Sequence, residues 1–417
     1  MFGKFSIGWR QVWVTALLMA TSSMVTTTYG IIAVPLMQEF GPSRMVLMLT
    51  MTVISVVASS IAPWLGAMMD RVPLRRIMLT GAFFLVAGYF ALSFVTAFWQ
   101  VLAVFALFMA PAQLSAGTMA STVLLSRWFS AMRGKAIGLA LTGISLGGFI
   151  YPIVVQALLD HYDWRTALRL FAVVLALVMV PCVLLVVNRP ADVGLHPDGF
   201  DSEPEHADAE AHAAAGMTTR RILSDPTFWM IAVILAIFFS GMRGLVTNIA
   251  PLAADEGVDA TLVAWVLSLY SVAGVCAKLG FAWLADRVDP RKLLLVAMIG
   301  AAIAHACLVM ADQGFATIAA GAIIMGLFGG TMLPMQAFLV PRIFGRNVVG
   351  KVSGLLGLAM FVFNAGSPPL FGLIYDVFGN YDAIFIAYAA LMVAAMAMLP
   401  YLRLDRRDDP LPVAAAA

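Results

Sequence analysis

Two basic side chains stand in the middle of apolar runs. Lys278 lies within "SVAGVCAKLGFAWLADRVDPRK" (Ser271–Lys292), with no acid inside one helical turn, and Arg243 lies within "FFSGMRGLVTN", close to Gly241 and Gly244. A charge inside an apolar helix is expensive and usually faces a cavity or a pathway. An ammonium and a guanidinium in such a place can bind an anion. The planar fork of arginine suits a carboxylate in particular. Ser271, Gly274, Val275 and Lys278 fall on one helical face, a small and polar stripe around the lysine. Polar groups that could complete an anion cavity recur earlier in the chain. They are Thr26, Thr27, Thr28 and Tyr29, then Gln113, Ser115 and Thr118, then Tyr151 and Gln156. Hydroxyls and amides there could orient a carboxylate or a substituent hydroxyl. His305 is a lone histidine in an apolar run and reads as a satisfied buried side chain.

The elements that must hold these groups are membrane helices. The chain has 417 residues, 62% of them hydrophobic and 12% charged, with a mean hydropathy of +0.94. An ordinary soluble domain is about half apolar and a quarter charged, so the lipid bilayer is the expected solvent. Apolar runs long enough to span recur at about 12–37, 46–69, 76–96, 99–126, 136–158, 166–188, 226–250, 260–285, 293–311, 314–341, 352–375 and 383–402. The runs are continuous rather than alternating, which argues against a β-barrel. The expected fold is therefore an all-α integral membrane protein of about twelve transmembrane helices. Most Lys and Arg, among them Arg71, Arg133, Arg287 and Lys351, fall to one side, and only Arg44, Arg165 and Arg169 to the other. The positive-inside rule then predicts both termini in the cytoplasm of a multi-pass plasma-membrane protein. The alanine-rich composition and the lack of processing signals suggest a bacterial inner membrane.

Other chemistry is not indicated. A net charge of +2 gives no footprint for nucleic acid. Cys182, Cys276 and Cys307 lack metal-ligand spacing and read as small hydrophobes. No nucleophile–base set or nucleotide loop stands out, so no enzyme, metal or cofactor is expected.

The chain repeats itself. "GAMMDRVPLRR" (Gly66–Arg76) is echoed by "AWLADRVDPRK" (Ala282–Lys292) at an offset of 216. The same offset maps Gly41 to Gly257, Pro35 to Pro251, Gly138 to Gly354, Pro152 to Pro368 and Asp160 to Asp376. Two six-helix bundles in parallel repeat follow, at 1–188 and 226–417, joined by a polar and acidic linker at 189–225. In such architectures the site lies between the bundles near mid-membrane. Gly143 and Gly147 form G-x-x-x-G on the fifth span, and Gly354, Gly357 and Gly366 lighten the eleventh. Close packing across the seam between the bundles is the expected reason.

The G-x-x-x-D-R-x-x-x-R-R loop, here Gly66, Asp70, Arg71, Arg75 and Arg76, resembles the signature of the major facilitator superfamily. The resemblance covers the whole chain and implies that fold, with a role in the inner gate for Gly66, Asp70, Arg71, Arg75, Asp286 and Arg287. Within it, "YGIIAVPLMQEFG" (Tyr29–Gly41), the stretch Arg127–Leu168 and "RPADVGLHPDG" (Arg189–Gly199) resemble the monocarboxylate porter and oxalate/formate antiporter group. That group carries a substrate-binding cation eight residues before the loop acid. Asp286 minus eight gives Lys278.

The departures count too. The first-helix lysine of the monocarboxylate branch is Gly30 here, and the aspartate four residues before its cation is Gly274. The deep eleventh-helix lysine of the oxalate branch is missing, and Asn364 stands in that region. The resemblance implies an alternating-access carrier of small organic anions, monocarboxylates first. Its substrate-binding residues would be Lys278, Arg243, Tyr29, Thr27, Gln113, Tyr151 and Asn364. The carrier is expected to be a monomer, with a proton or a counter-anion left open as coupling partner. The alternatives are a dicarboxylate or oxalate-type exchanger, a multidrug-type efflux carrier, and, lower, a membrane sensor with a transporter fold.

Overall fold

A computed structural model describes residues 2–129, 132–197, 219–285, 287–344 and 349–402. Most of the acidic linker stretch and Asp286 lie outside the described residues, as does the side chain of Asp70. Among the described residues twelve helices are long and apolar enough to cross a membrane. They are α1 (Ile7–Phe40), α2 (Arg44–Met69), α3 (Leu74–Leu92), α4 (Phe98–Trp128), α5 (Gly134–His161) and α6 (Trp164–Leu184), then α7 (Pro226–Asp255), α8 (Ala260–Phe281), α9 (Pro290–Val309), α10 (Phe315–Phe344), α11 (Lys351–Phe378) and α12 (Asp382–Tyr401). All twelve expected spans are present.

Turn chemistry sets their ends. Gly41 adopts a left-handed φ of 56° after α1, and Ser43 then caps α2 by accepting from the Val46 amide. The counterparts at offset 216 repeat the device. Gly257 has φ 68°, and Asp259 caps α8 through the amides of Thr261 and Leu262. A glycine that tolerates positive φ followed by a side-chain cap is a strong helix-to-helix joint.

Several spans are interrupted. A turn at Thr28 divides α1. A π turn at Phe105–Met109 and a break at Ala116–Gly117 divide α4. A Cβ on Gly117 would come within 2.8 Å of Ser22 Oγ, so only glycine passes there. A second break, before Met332, divides α10. Such irregular turns are tolerated at membrane depth only where protein or a cavity covers them.

Apolar surface is displayed outward as well as buried. Phe83, Leu107 and Leu177 are 66%, 65% and 70% exposed. Exposure on that scale suits lipid rather than water. Inside, Tyr89 meets Phe171 edge-on at 5.2 Å, and Phe371 meets Phe385 at 5.7 Å.

The fifth-helix glycines pack differently from expectation. Gly143 and Gly147 lie against the backbone of Ala16 and Ala20 in α1, a contact within the first six helices rather than across the seam. The G-x-x-x-G stripe brings α1 and α5 together as a backbone-to-backbone pair. Gly354, Gly357 and Gly366 have no atom within 4 Å of an added Cβ. They face open space and do not pack.

Contacts between α1–α6 and α7–α12 define a closed end. The ion pair of Arg44 and Asp255 joins α2 to α7 there. The carboxylate of Asp376 in α11 accepts the amides of Arg44 (2.8 Å) and Met45 (2.9 Å). Asp160 of α5 accepts from the Thr261 hydroxyl of α8 at 3.4 Å. Further in, Thr52 donates to the Ala365 carbonyl and Ser268 to the Phe149 carbonyl. Toward the other end, Gly134, Gly138, Gly280, Gly354 and Gly357 all face open space. The described polar ties across the seam gather at the end where α1 finishes, the closed end; the opposite end, where α1 begins and these glycines have no neighbour, is here called open.

Candidate functional site

The two intramembrane cations both reach across the seam. Lys278 Nζ donates to Ser145 Oγ of α5 at 2.6 Å. Its stem therefore turns toward the first six helices instead of running along α8 to the open end. Arg243 Nη2 donates to Ser55 Oγ of α2 at 2.9 Å and, more weakly, to the Met51 carbonyl at 3.4 Å. Neither cation has an acid as its hydrogen-bond partner in these contacts. Each rests on a neutral hydroxyl, which holds the charge in place without neutralising it. A hydroxyl partner is readily exchanged for an anion, because a charge-assisted bond is about twice as strong as a neutral one.

The other expected ligand groups divide. Thr27 is half-buried in α1, next to the seam where Gly148 of α5 meets Ser271 of α8, and its hydroxyl is turned back to the Met24 carbonyl at 3.4 Å. Gln113 is half-buried on the short helical segment between the π turn and the break of α4. Asn364 is half-buried on α11, and its Oδ1 has no hydrogen-bond partner. The hydroxyls of Tyr29 and Tyr151 are bonded to other groups than the cations. The Tyr29 hydroxyl donates to the Leu47 carbonyl, and its ring meets Phe105 at 5.5 Å. The Tyr151 hydroxyl shares a 2.9 Å hydrogen bond with Thr21 and its ring meets Phe171 at 5.9 Å. Both tyrosines brace the interior of the first six helices.

Ser145 and Ser55 are the site residues that the sequence did not single out. A serine in a membrane helix is an ordinary residue. Ser55, however, is the counterpart of Ser271 at the offset of 216, and Ser271 lies on the Lys278 stripe. That signal was present in the repeat.

The signature loop sits at the open end. A Cβ on Gly66 would come 3.1 Å from Met119 Cε, so this glycine allows α2 to approach α4. Arg71 and Arg75 are exposed, and the Arg75 amide donates to Asn188 Oδ1 at 2.8 Å. Arg127 reaches back to the Met69 carbonyl at 2.7 Å. Arg287 stacks on Trp283 at 4.3 Å. His305 is fully buried, with Nδ1 against the Ala301 carbonyl at 2.8 Å and its ring stacked on Tyr388 at 5.5 Å. Its Nε2 has no hydrogen-bond partner, so the expected satisfaction is only half met.

A separate cavity of about 340 Å³ lies at the closed end, lined in part by Ile31, Pro35, Gln156, Trp164, Ala250 and Val263. It is mostly apolar, and neither Lys278 nor Arg243 is among its lining residues.

Comparison with known proteins agrees with this architecture. A family model described as Major Facilitator Superfamily matches residues 15–252 and again 234–417. Similar curated proteins include monocarboxylate transporter 13 of Bos taurus, 29% identical over 280 residues, which is 66% of this chain and 61% of that protein. Monocarboxylate transporter 11 of Mus musculus is 29% identical over 278 residues, 65% of this chain and 59% of that protein. Monocarboxylate transporter 13 of Rattus norvegicus is 26% identical over 346 residues, 80% of this chain and 74% of that protein. The match spans about three fifths of the length of the first two relatives.

Proposed function

We propose, from the premise that this chain belongs to the Major Facilitator Superfamily, that it carries small organic anions, monocarboxylates foremost, with Lys278 as the carboxylate-binding cation. That the chain is a multi-pass transporter and not an enzyme follows from the family. The anion reading rests chiefly on one observation, the Lys278 ammonium held across the seam by the neutral Ser145 hydroxyl. A carboxylate entering from the open end would replace a neutral partner with a charged one, which favours the exchange. The names of the relatives point the same way.

The Lys278–Ser145 contact between the two sets of six helices supports an alternating-access reading. The units 1–188 and 226–417 would rock about it, with 189–225 as a tether, while the Arg44, Asp376 and Asp160 contacts hold one end together. The basic residues gather at the open end, so that end would face the cytoplasm.

The test is uptake of labelled lactate, pyruvate, oxalate and a neutral analogue into liposomes, wild type against Lys278→Ala. Carboxylate-selective uptake that is lost in the variant is the expected result. Uptake unaffected by the variant would remove the main support for the reading. The oxalate arm tests the dicarboxylate alternative.

A further inference from the structure

We infer that Arg243, Ser55 and Asn364 form a second carboxylate station, separate from Lys278 and nearer the closed end. The inference rests on the anion-carrier reading and adds a site to it. Arg243 and Ser55 meet on one turn of α2, and the backbone next to Asn364 is tied to the same turn. Arg243 bonds Met51 and Ser55 there, and Thr52 in the same turn donates to the carbonyl of Ala365, the neighbour of Asn364.

The repeat shows that this grouping is asymmetric. The counterparts of Arg243, Ser55 and Asn364 at the offset of 216 are Thr27, Ser271 and Gly148. On that side the same three positions pack closely. A Cβ on Gly148 would come 3.1 Å from Ser271 Cβ and 3.6 Å from the Thr27 methyl. One seam is thus filled by small side chains. The other holds a guanidinium and an amide in the equivalent places.

Two atoms on the polar side have no protein partner. Arg243 uses Nη2 in the bonds described, while its Nε is buried and unbonded, and Asn364 Oδ1 is likewise buried and unbonded. Unsatisfied buried polar atoms are costly, and native structures keep few of them. The Nε edge of a guanidinium is suited to a carboxylate oxygen. Both side chains keep some exposure.

Depth separates the two stations. Arg243 is about 18 Å along α7 from the closed end, and Lys278 is about 27 Å along α8 from the same end. The cations also lie on different seams, one against α2 and the other against α5. They are arranged in tandem and do not form a single clamp.

The experiment is concentration-dependent pyruvate uptake in liposomes, with thermal melting as a control, for wild type, Arg243→Gln, Arg243→Lys, Asn364→Leu and Lys278→Ala. Arg243→Gln is expected to raise KM for pyruvate tenfold or more, with partial recovery in Arg243→Lys. Asn364→Leu, which removes no charge, is expected to raise KM about threefold. A purely structural strut would lower the melting temperature or Vmax and leave KM alone. If Arg243→Gln does not reach the membrane, Asn364→Leu carries the test. Pyruvate uptake that depends on Lys278, with KM unchanged in the variants at 243 and 364, overturns the second station and spares the anion reading. A wild type that takes up no carboxylate overturns both.

Discussion

Asp160 and Asp376 stand 216 residues apart, and each faces the N-terminal turn of a helix from the other set of six. Asp376 accepts the amides of Arg44 and Met45 at the start of α2. Asp160 accepts from Thr261, the counterpart of Met45, at the start of α8, and is itself held by Gln156 at 2.7 Å. A carboxylate at a helix N-terminus meets orphan amides and the positive end of the helix dipole. The two acids form a paired latch on the closed end. The α2 side is the tighter of the two, because it engages two backbone amides directly.

The latch predicts an unequal pair of variants. Asp376→Ala removes a cap of about 1–2 kcal/mol from the closed-end state, which is a shift of roughly 5–30-fold in population. Asp160→Ala is expected to shift it less. Labelling rates of cysteines introduced at the closed end measure both. Equal rates in the two variants and wild type would show that the acids do not hold this end.

The Arg44–Asp255 pair predicts a coupled cycle. Arg44 is 5% exposed and also lies over the Tyr375 ring at 4.6 Å. Asp255 keeps 28% of its side chain exposed, so removing it leaves the buried guanidinium without its ion partner, at about 1–3 kcal/mol. Asp255→Ala is therefore expected to lower the melting temperature sharply. Arg44→Ala/Asp255→Ala should recover part of the loss, since no stranded charge is left. Strictly additive effects in a double-mutant cycle would refute the coupling.

The α1–α5 contact predicts intolerance at two glycines. Any Cβ at Gly143 or Gly147 runs into the backbone of Ala16 or Ala20. Overpacking of this kind costs about 1–3 kcal/mol. Gly147→Ala should lower the melting temperature, and Gly147→Leu should abolish folded yield. Wild-type yield and melting in Gly147→Leu would contradict the backbone-to-backbone packing.

Lys278 predicts a charge requirement rather than a size requirement. Lys278→Arg keeps a cation within reach of Ser145 and should retain measurable carboxylate uptake. Lys278→Met, of similar length, should lose it by at least a hundredfold, the order expected when a charged hydrogen bond of about 3 kcal/mol is removed. Uptake by the methionine variant close to that of wild type would exclude the ammonium as the anion's partner.

The spans were legible because lipid imposes length and apolarity on every one of them. Lys278 and Arg243 were legible because charge stands out against such a background. Their partners were not, since Ser145 and Ser55 differ from other helical serines only in what faces them across the seam. Tyr29 and Tyr151 look like cavity residues in sequence. Their hydroxyls are nonetheless taken up by Leu47 and Thr21, a matter of rotamer and helix rotation that residue type does not encode. The offset marked Asp160 and Asp376 as equivalent without naming a partner for either. The glycines of α5 were legible as contact residues, but which helix they meet depends on how α1 is placed.

Gly138 and Gly354, counterparts in the repeat, point into empty space, as do Gly134 and Gly357. In a helix interior each glycine is about 1 kcal/mol less favourable than alanine, and at these positions nothing visible returns that loss. Under the alternating-access reading the return would come in another arrangement of the same helices, with this end drawn together. On that reading the least stabilising residues of these helices would mark where the chain must fit next.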